Sequence, residues 1–220
     1  MKNFRAMALG ICSLLLLAAS GHAQMGMGMR GGPTPRGFFN PIVGAGSVYD
    51  MTSSDGKKTS TEFAIVGKES VNGKDGYWME IVTSGMVMKT LTVIGDGSVN
   101  TRMIMQMPGR PPMEMPSQMM HMNGQGAAQS STTDIRSTSE DVGSESVTVP
   151  AGTFVCEHYR AKDGSGDTWI SPKVSPMGVV KHQGKDSTMV LTKVIMDAKD
   201  KIIGTPVPFN PMMMQGPPQE

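Results

Sequence analysis

Methionine is the side chain with most to offer chemically in this sequence, which carries 23 of them. A thioether is a soft, uncharged donor suited to Cu(I) or Ag(I). It is also a flexible apolar group that moulds itself to guests of varied shape. The densest run, "MEMPSQMMHMNG" at residues 113–124, sets Met113, Met115, Met119, Met120 and Met122 beside His121. As a metal site these six would form a soft-ligand trap for Cu(I). As a lid or spacer they need only be greasy, and "MGMGM" and "MMM" near the two ends show the same compositional bias with no spacing that fixes a ligand geometry. Exposed thioethers also oxidise to sulfoxides, so oxidant scavenging is a third use.

A second group is ordered by its spacing. Met86 and Met88 fall on one face of a strand, as do Met103, Met105 and Met107, because side chains alternate across a strand with period two. A hairpin closing at "GDGSV" would set the two rows side by side, giving a methionine-lined surface for an apolar ligand such as a lipid or acyl chain. The competing reading is an ordinary core with methionine where leucine is usual.

Cys156 and His158 lie two apart, on one face with Phe154. Thiolate and imidazole could bind a metal with a methionine as third donor. A lone thiol beside a phenylalanine is more commonly buried packing. Hydrolytic chemistry finds no GxSxG, HExxH or CxxC pattern. Glu62 and Glu80 sit in strands whose alternation is expected to place one or both on a solvated face. No catalytic residue is assigned, and an enzyme is not expected.

The elements that would position these groups read as antiparallel strands, about ten in two blocks, punctuated by turn signals. "GSVYDMT" and "KTSTEFAIVG" flank "SSDGK", and "YWMEIVT" follows "NGKDG", where Asn72-Gly73 and Asp75-Gly76 supply positive backbone angles. "MVMKTLTVI" and "NTRMIMQM" follow as a further hairpin. Strand signals resume at "SVTVP", "TFVCEHYRAK", "DTWIS", "GVVKH" and "STMVLTKVIMDA". The expected fold is all-β with at most one or two short helices, a meander being the simplest topology. Residues 42–198 form the single domain, broken by a Met-rich connector at 108–140. Residues 24–41 and 199–220 read as flexible leader and Pro/Met tail.

The opening residues "MKNFRAMALGICSLLLLAASGHA" have a basic start, an apolar run from Ala6 to Ala19 and small residues at Gly21 and Ala23. That is the pattern of an export signal over residues 1–23, with the mature chain expected from Gln24. The run is short of the roughly 20 apolar residues of a membrane helix. Beyond the signal Cys156 is the one cysteine, so no internal disulfide is available. Twenty Lys and Arg stand against nineteen Asp and Glu, and a balance so near neutral does not suggest nucleic-acid binding.

At "ESVTVPAGTFVCEHYR" and "DTWISPKVSPMGVVKH" the sequence resembles a group of exported bacterial proteins of unassigned function whose sheets are similar to the open half-barrel of LolA-like lipoprotein carriers. The residues concerned are Val149, Pro150, Ala151, Gly152, Thr153, Phe154, Cys156, His158 and Tyr159, then Trp169, Ile170, Ser171, Val174, Pro176, Gly178, Val180 and Lys181. The resemblance implies a curved sheet with an apolar concave face able to hold acyl chains, and a lipid or lipidated protein as partner. The expectation is a non-enzymatic exported binding protein, most simply periplasmic, without a cofactor. A Cu(I)- or Ag(I)-handling protein and an envelope assembly protein pairing along a strand edge are the alternatives.

Overall fold

The computed structural model describes residues 38–94, 99–116 and 135–210. Alternating side chains build twelve strands: β1 (Gly46–Ser53), β2 (Lys58–Val71), β3 (Lys74–Thr83), β4 (Met86–Val93), β5 (Val99–Gln106), β6 (Met113–Met115), β7 (Ser139–Val149), β8 (Gly152–Ala161), β9 (Gly166–Ile170), β10 (Val179–Gly184), β11 (Ser187–Ile195) and β12 (Val207–Pro208). Among the described residues one four-residue helix, α1 (Ile135–Thr138), precedes β7. Among the described residues no helix is long and apolar enough to cross a membrane.

Two-residue turns hold the first block in register. Asn72 and Gly73 (φ 51° and 77°) close β2 on β3, and Ser84 and Gly85 (φ 49° and 79°) close β3 on β4. Paired positive φ values match the twist of the flanking strands. Asp75-Gly76, also expected as a turn, lies inside β3. A Cβ at Gly76 would stand 3.0 Å from Leu91 Cδ1, so the glycine serves close packing there.

All twelve strands form one sheet in the order β12-β6-β5-β4-β3-β2-β1-β11-β10-β9-β8-β7. The first block is a meander, as the sequence suggests, and the second joins it through antiparallel β1 and β11. The sheet is curved and open, with β7 and β12 at its edges, consistent with a half-barrel. At the β7–β8 turn the chain bends back far enough for the Ala151 N–H to donate to Leu191 O at 3.4 Å. Tyr49, Val174, Val179, Val180, Met189 and Leu191 centre the larger core. The Tyr49 hydroxyl donates to Val179 O at 2.8 Å, which satisfies its one buried polar atom.

Of the segment expected as a tail, residues 199–210 are described. They cross one face of the first block as a strap. Lys201 N–H donates to Glu80 Oε2 at 3.0 Å, and Gln106 exchanges two hydrogen bonds with the Ile203 backbone at 2.9 and 3.0 Å. Ile202 packs on the cluster of Trp78, Leu91 and Ile104. Val207 and Pro208 then pair in parallel with Met113 and Glu114. The connector likewise contributes β6, α1 and the start of β7 to the described fold.

Candidate functional site: the methionine face

Register sorts the side chains of β3 to β6 onto two faces. On the strap face Glu80 stands opposite Lys89, Lys89 opposite Ile104, and Ile104 opposite Glu114. Leu91 stands opposite Trp78 and Arg102 in the neighbouring row. On the other face Ile81, Met88, Met105 and Met113 form one continuous cross-strand row, extended by Val207 of β12. Met79, Thr90, Met103 and Met115 form the next. Between Tyr77 and Thr83, through β4, and from Met103 and Met113 onward in β5 and β6, this face carries no formal charge. The charged residues Glu80, Lys89, Arg102 and Glu114 all lie behind it.

The rows inferred from spacing are therefore brought together: Met88 is directly opposite Met105, and Met86 opens β4 on the same face. Met107 lies one residue beyond β5 and is half-buried. Met113 and Met115, grouped by sequence with a connector metal site, are strand residues paired with Met105 and Met103. Met119, Met120, His121 and Met122 lie outside the described residues. Sequence reasoning passed over Met79, Ile81 and Phe63, which continue the face through β3 and β2, with Phe63 opposite Ile81. The alternation in "YWMEIVT" carried that signal, since Met79 and Ile81 fall on the side away from Glu80. Met113 is 1% exposed, while Met79, Met88, Met103, Met105 and Met115 are half-buried.

Behind the patch the polar groups are tied down. Trp78 Nε1 donates to Glu69 at 2.9 Å, and its ring lies 4.8 Å from Lys89 Nζ and 5.2 Å from the Arg102 guanidinium. Lys89 pairs with Asp200, Lys201 with Glu62 at 2.6 Å, and Arg102 with Glu114 at 2.8 Å. Of the two carboxylates of which one or both were expected on a solvated face, Glu62 is half-buried and Glu80 is sealed in: it is 1% exposed and its Oε1 meets no donor. Burial, with the Asp200 charge adding to it, pushes its pKa up to about 7 against the Lys201 N–H. Burial works against Asp200 as well, but Lys89 and the Ile202 N–H hold its carboxyl below the ordinary range.

The second chemically suggestive group is consumed by packing. Cys156 is buried, and its thiol is pushed up to about 11 by burial and by Glu145. Both ring nitrogens of His158 face carboxylates, Nε2 to Asp167 at 2.7 Å and Nδ1 to Glu145 at 3.1 Å, and its ring stacks on Trp169 with centroids 4.5 Å apart. Both ring nitrogens are thus already engaged by carboxylate neighbours. Among the described residues no three His, Cys, Asp or Glu side chains converge as an ion site.

No protein-family model matches the chain, and no curated protein matches it. Solved structures give distant likenesses. A candidate exported protein with a YmcC-like fold from Bacteroides fragilis is 12% identical, with a TM-score of 0.35 over 71% of this chain and 98% of that one. A candidate lipoprotein from Parabacteroides distasonis is 13% identical, with a TM-score of 0.32 over 71% and 97%. MucB, solved in complex with MucA(peri), is 12% identical, with a TM-score of 0.33 over 73% of this chain and 53% of MucB. Likenesses this distant say nothing of ligand or partner.

Proposed function

We propose that the chain is an exported, non-enzymatic binding protein that holds an apolar ligand, a lipid or acyl chain, on the methionine face of its curved sheet. One observation carries this reading: from Tyr77 onward in β3 and through β4 to β6 the charges are gathered on the strap face, leaving rows of thioethers with Thr90, Ile81 and Phe63 on the other. Each methylene such a face removes from water stabilises the complex by about 0.8 kcal/mol. Unbranched thioethers adapt to chains of differing length and bend. The test uses the chain from Gln24 onward, stripped of lipid and titrated with a fluorescent fatty acid. Saturable uptake is expected, weakened at least about tenfold, or 1.4 kcal/mol, by Met105→Glu. A control charge change at the exposed Glu157 should leave it unaltered. Absence of uptake together with absence of lipid in the purified protein would exclude the reading.

A further inference from the structure

The thioethers of the methionine face are arranged for a second kind of ligand, independent of whether the face takes up an apolar chain. Met88, Met105 and Met113 occupy three adjacent strands in one register row, each directly opposite the next. Directly opposed residues in a sheet hold their Cβ atoms about 4.5–5.5 Å apart. By the same spacing Met88 and Met113 stand about 9–11 Å apart at Cβ on either side of Met105, and their flexible unbranched side chains can lean toward the middle strand. Met103 and Met115, opposite each other one row along, stand ready as further donors.

The surroundings select the ion. Neutral sulfur donors suit soft monovalent d10 cations, whereas zinc, calcium and magnesium ask for imidazole, thiolate or charged oxygen. Among the described residues the face supplies none of those from Tyr77 of β3 through β6. The hydroxyl of Thr90, in the next row, is buried and turned to Met79 O at 3.5 Å. Met113, 1% exposed, places one donor below the surface, where water competes least.

We infer that Met88, Met105 and Met113 form a sheet-borne trithioether site for Cu(I) or Ag(I). Soft-metal chemistry, which the sequence alone offered as an alternative within the connector, is thereby centred on β4 to β6, with Met113 common to both sets.

The chain from Gln24 onward is titrated with silver nitrate in chloride-free buffer, following heat and the ε-methyl signals of 13C-methyl methionine. One saturable Ag(I) per chain is expected, with the Met88, Met105 and Met113 methyls shifting together, and no displacement by Zn(II). The triple leucine variant M88L/M105L/M113L should weaken that binding at least about tenfold, while M119L/M120L/M122L should retain it. Leucine is a volume-conserving replacement, and the urea midpoint of the triple variant confirms its fold. Fatty-acid uptake by the unaltered chain, measured with no metal present, reads the carrier function on its own, so failure of the metal site and failure of the carrier reading are distinguishable. Undiminished Ag(I) binding by the triple variant, shifts confined to other methionines, or no saturable binding would each overturn the site.

Discussion

Glu80 Oε2 accepts the backbone N–H of Lys201 at 3.0 Å, a contact between the third strand and a segment 121 residues further along that fixes the C-terminal strap across the sheet. The carboxylate that makes this contact is itself costly. It is sealed from water, its second oxygen faces no donor, and Asp200 beside it is negative.

Its pKa rises from an ordinary 4.5 to about 7 on folding, so the folded state binds the proton more tightly than the unfolded chain. The stability gained from that proton is fully present below pH 4.5 and is lost as pH rises through about 7. Glu80→Gln removes the charge while keeping a carbonyl oxygen for Lys201. It should therefore stabilise the protein by about 1–3 kcal/mol at pH 8, with the gain fading toward pH 4.5. Urea denaturation at both pH values measures it. A destabilised Gln variant at pH 8 would mean the carboxylate is held by donors other than Lys201.

The strap also seals a small core. Ile202 is half-buried on Trp78, Leu91 and Ile104, and truncating it opens that cluster to water. Ile202→Ala should cost about 1–2 kcal/mol in urea denaturation, less than the full range for a completely buried isoleucine because part of the side chain is already wet. It should also shift Trp78 emission to the red. An unaltered spectrum would show that the strap is not seated there in solution.

How far the sequence disclosed this arrangement depends on how locally each part is determined. The rows of Met86 and Met88 and of Met103 and Met105 could be set side by side in advance because a short glycine-bearing connection joins two alternating runs. The register shift between Leu91 and Thr92 kept the Met88–Met105 pair itself out of reach. Nor could Met113 be placed beside them. Its strand is three residues long, and its outer neighbour β12 comes from a segment rich in proline. At the sheet edge only alternate N–H groups are needed. Val207 donates to Pro112 O at 2.9 Å and Phe209 to Glu114 O at 3.1 Å, so Pro206 and Pro208 fall where no donor is required. Glu80 misled for a related reason: alternation correctly joins it to Trp78 and Val82, but only the strap, over a hundred residues away in sequence, makes that face an interior.

Close approach of backbones sets another limit. A Cβ on Gly46 would come within 2.7 Å of Phe63 O and 2.9 Å of Ala64 Cβ, so β1 and β2 would have to separate at the start of the strand that joins the two blocks. Gly46→Ala should destabilise by about 1–3 kcal/mol, the usual cost of overpacking. Thermal denaturation should register this as a lowered midpoint. An unchanged midpoint would show that the two strands part there without cost.

Cys156 gives a test of the second block that needs no mutation, since a chain beginning at Gln24 has no other cysteine. Burial raises its thiol to about 11, and the Glu145 carboxylate adds to the rise by opposing a second negative charge nearby. The nucleophile in alkylation is the thiolate. At pH 8 the raised pKa leaves about a hundredfold less thiolate than an ordinary thiol near pKa 9, before shielding is counted. Iodoacetamide should thus modify the folded protein at least about a hundredfold more slowly than the urea-unfolded chain. The folded rate should go on climbing about tenfold per pH unit through pH 10, where the unfolded chain has already levelled off. Rapid modification of the folded protein at pH 8 would place the thiol at the surface, and with it the Phe154 and Val149 packing that surrounds it.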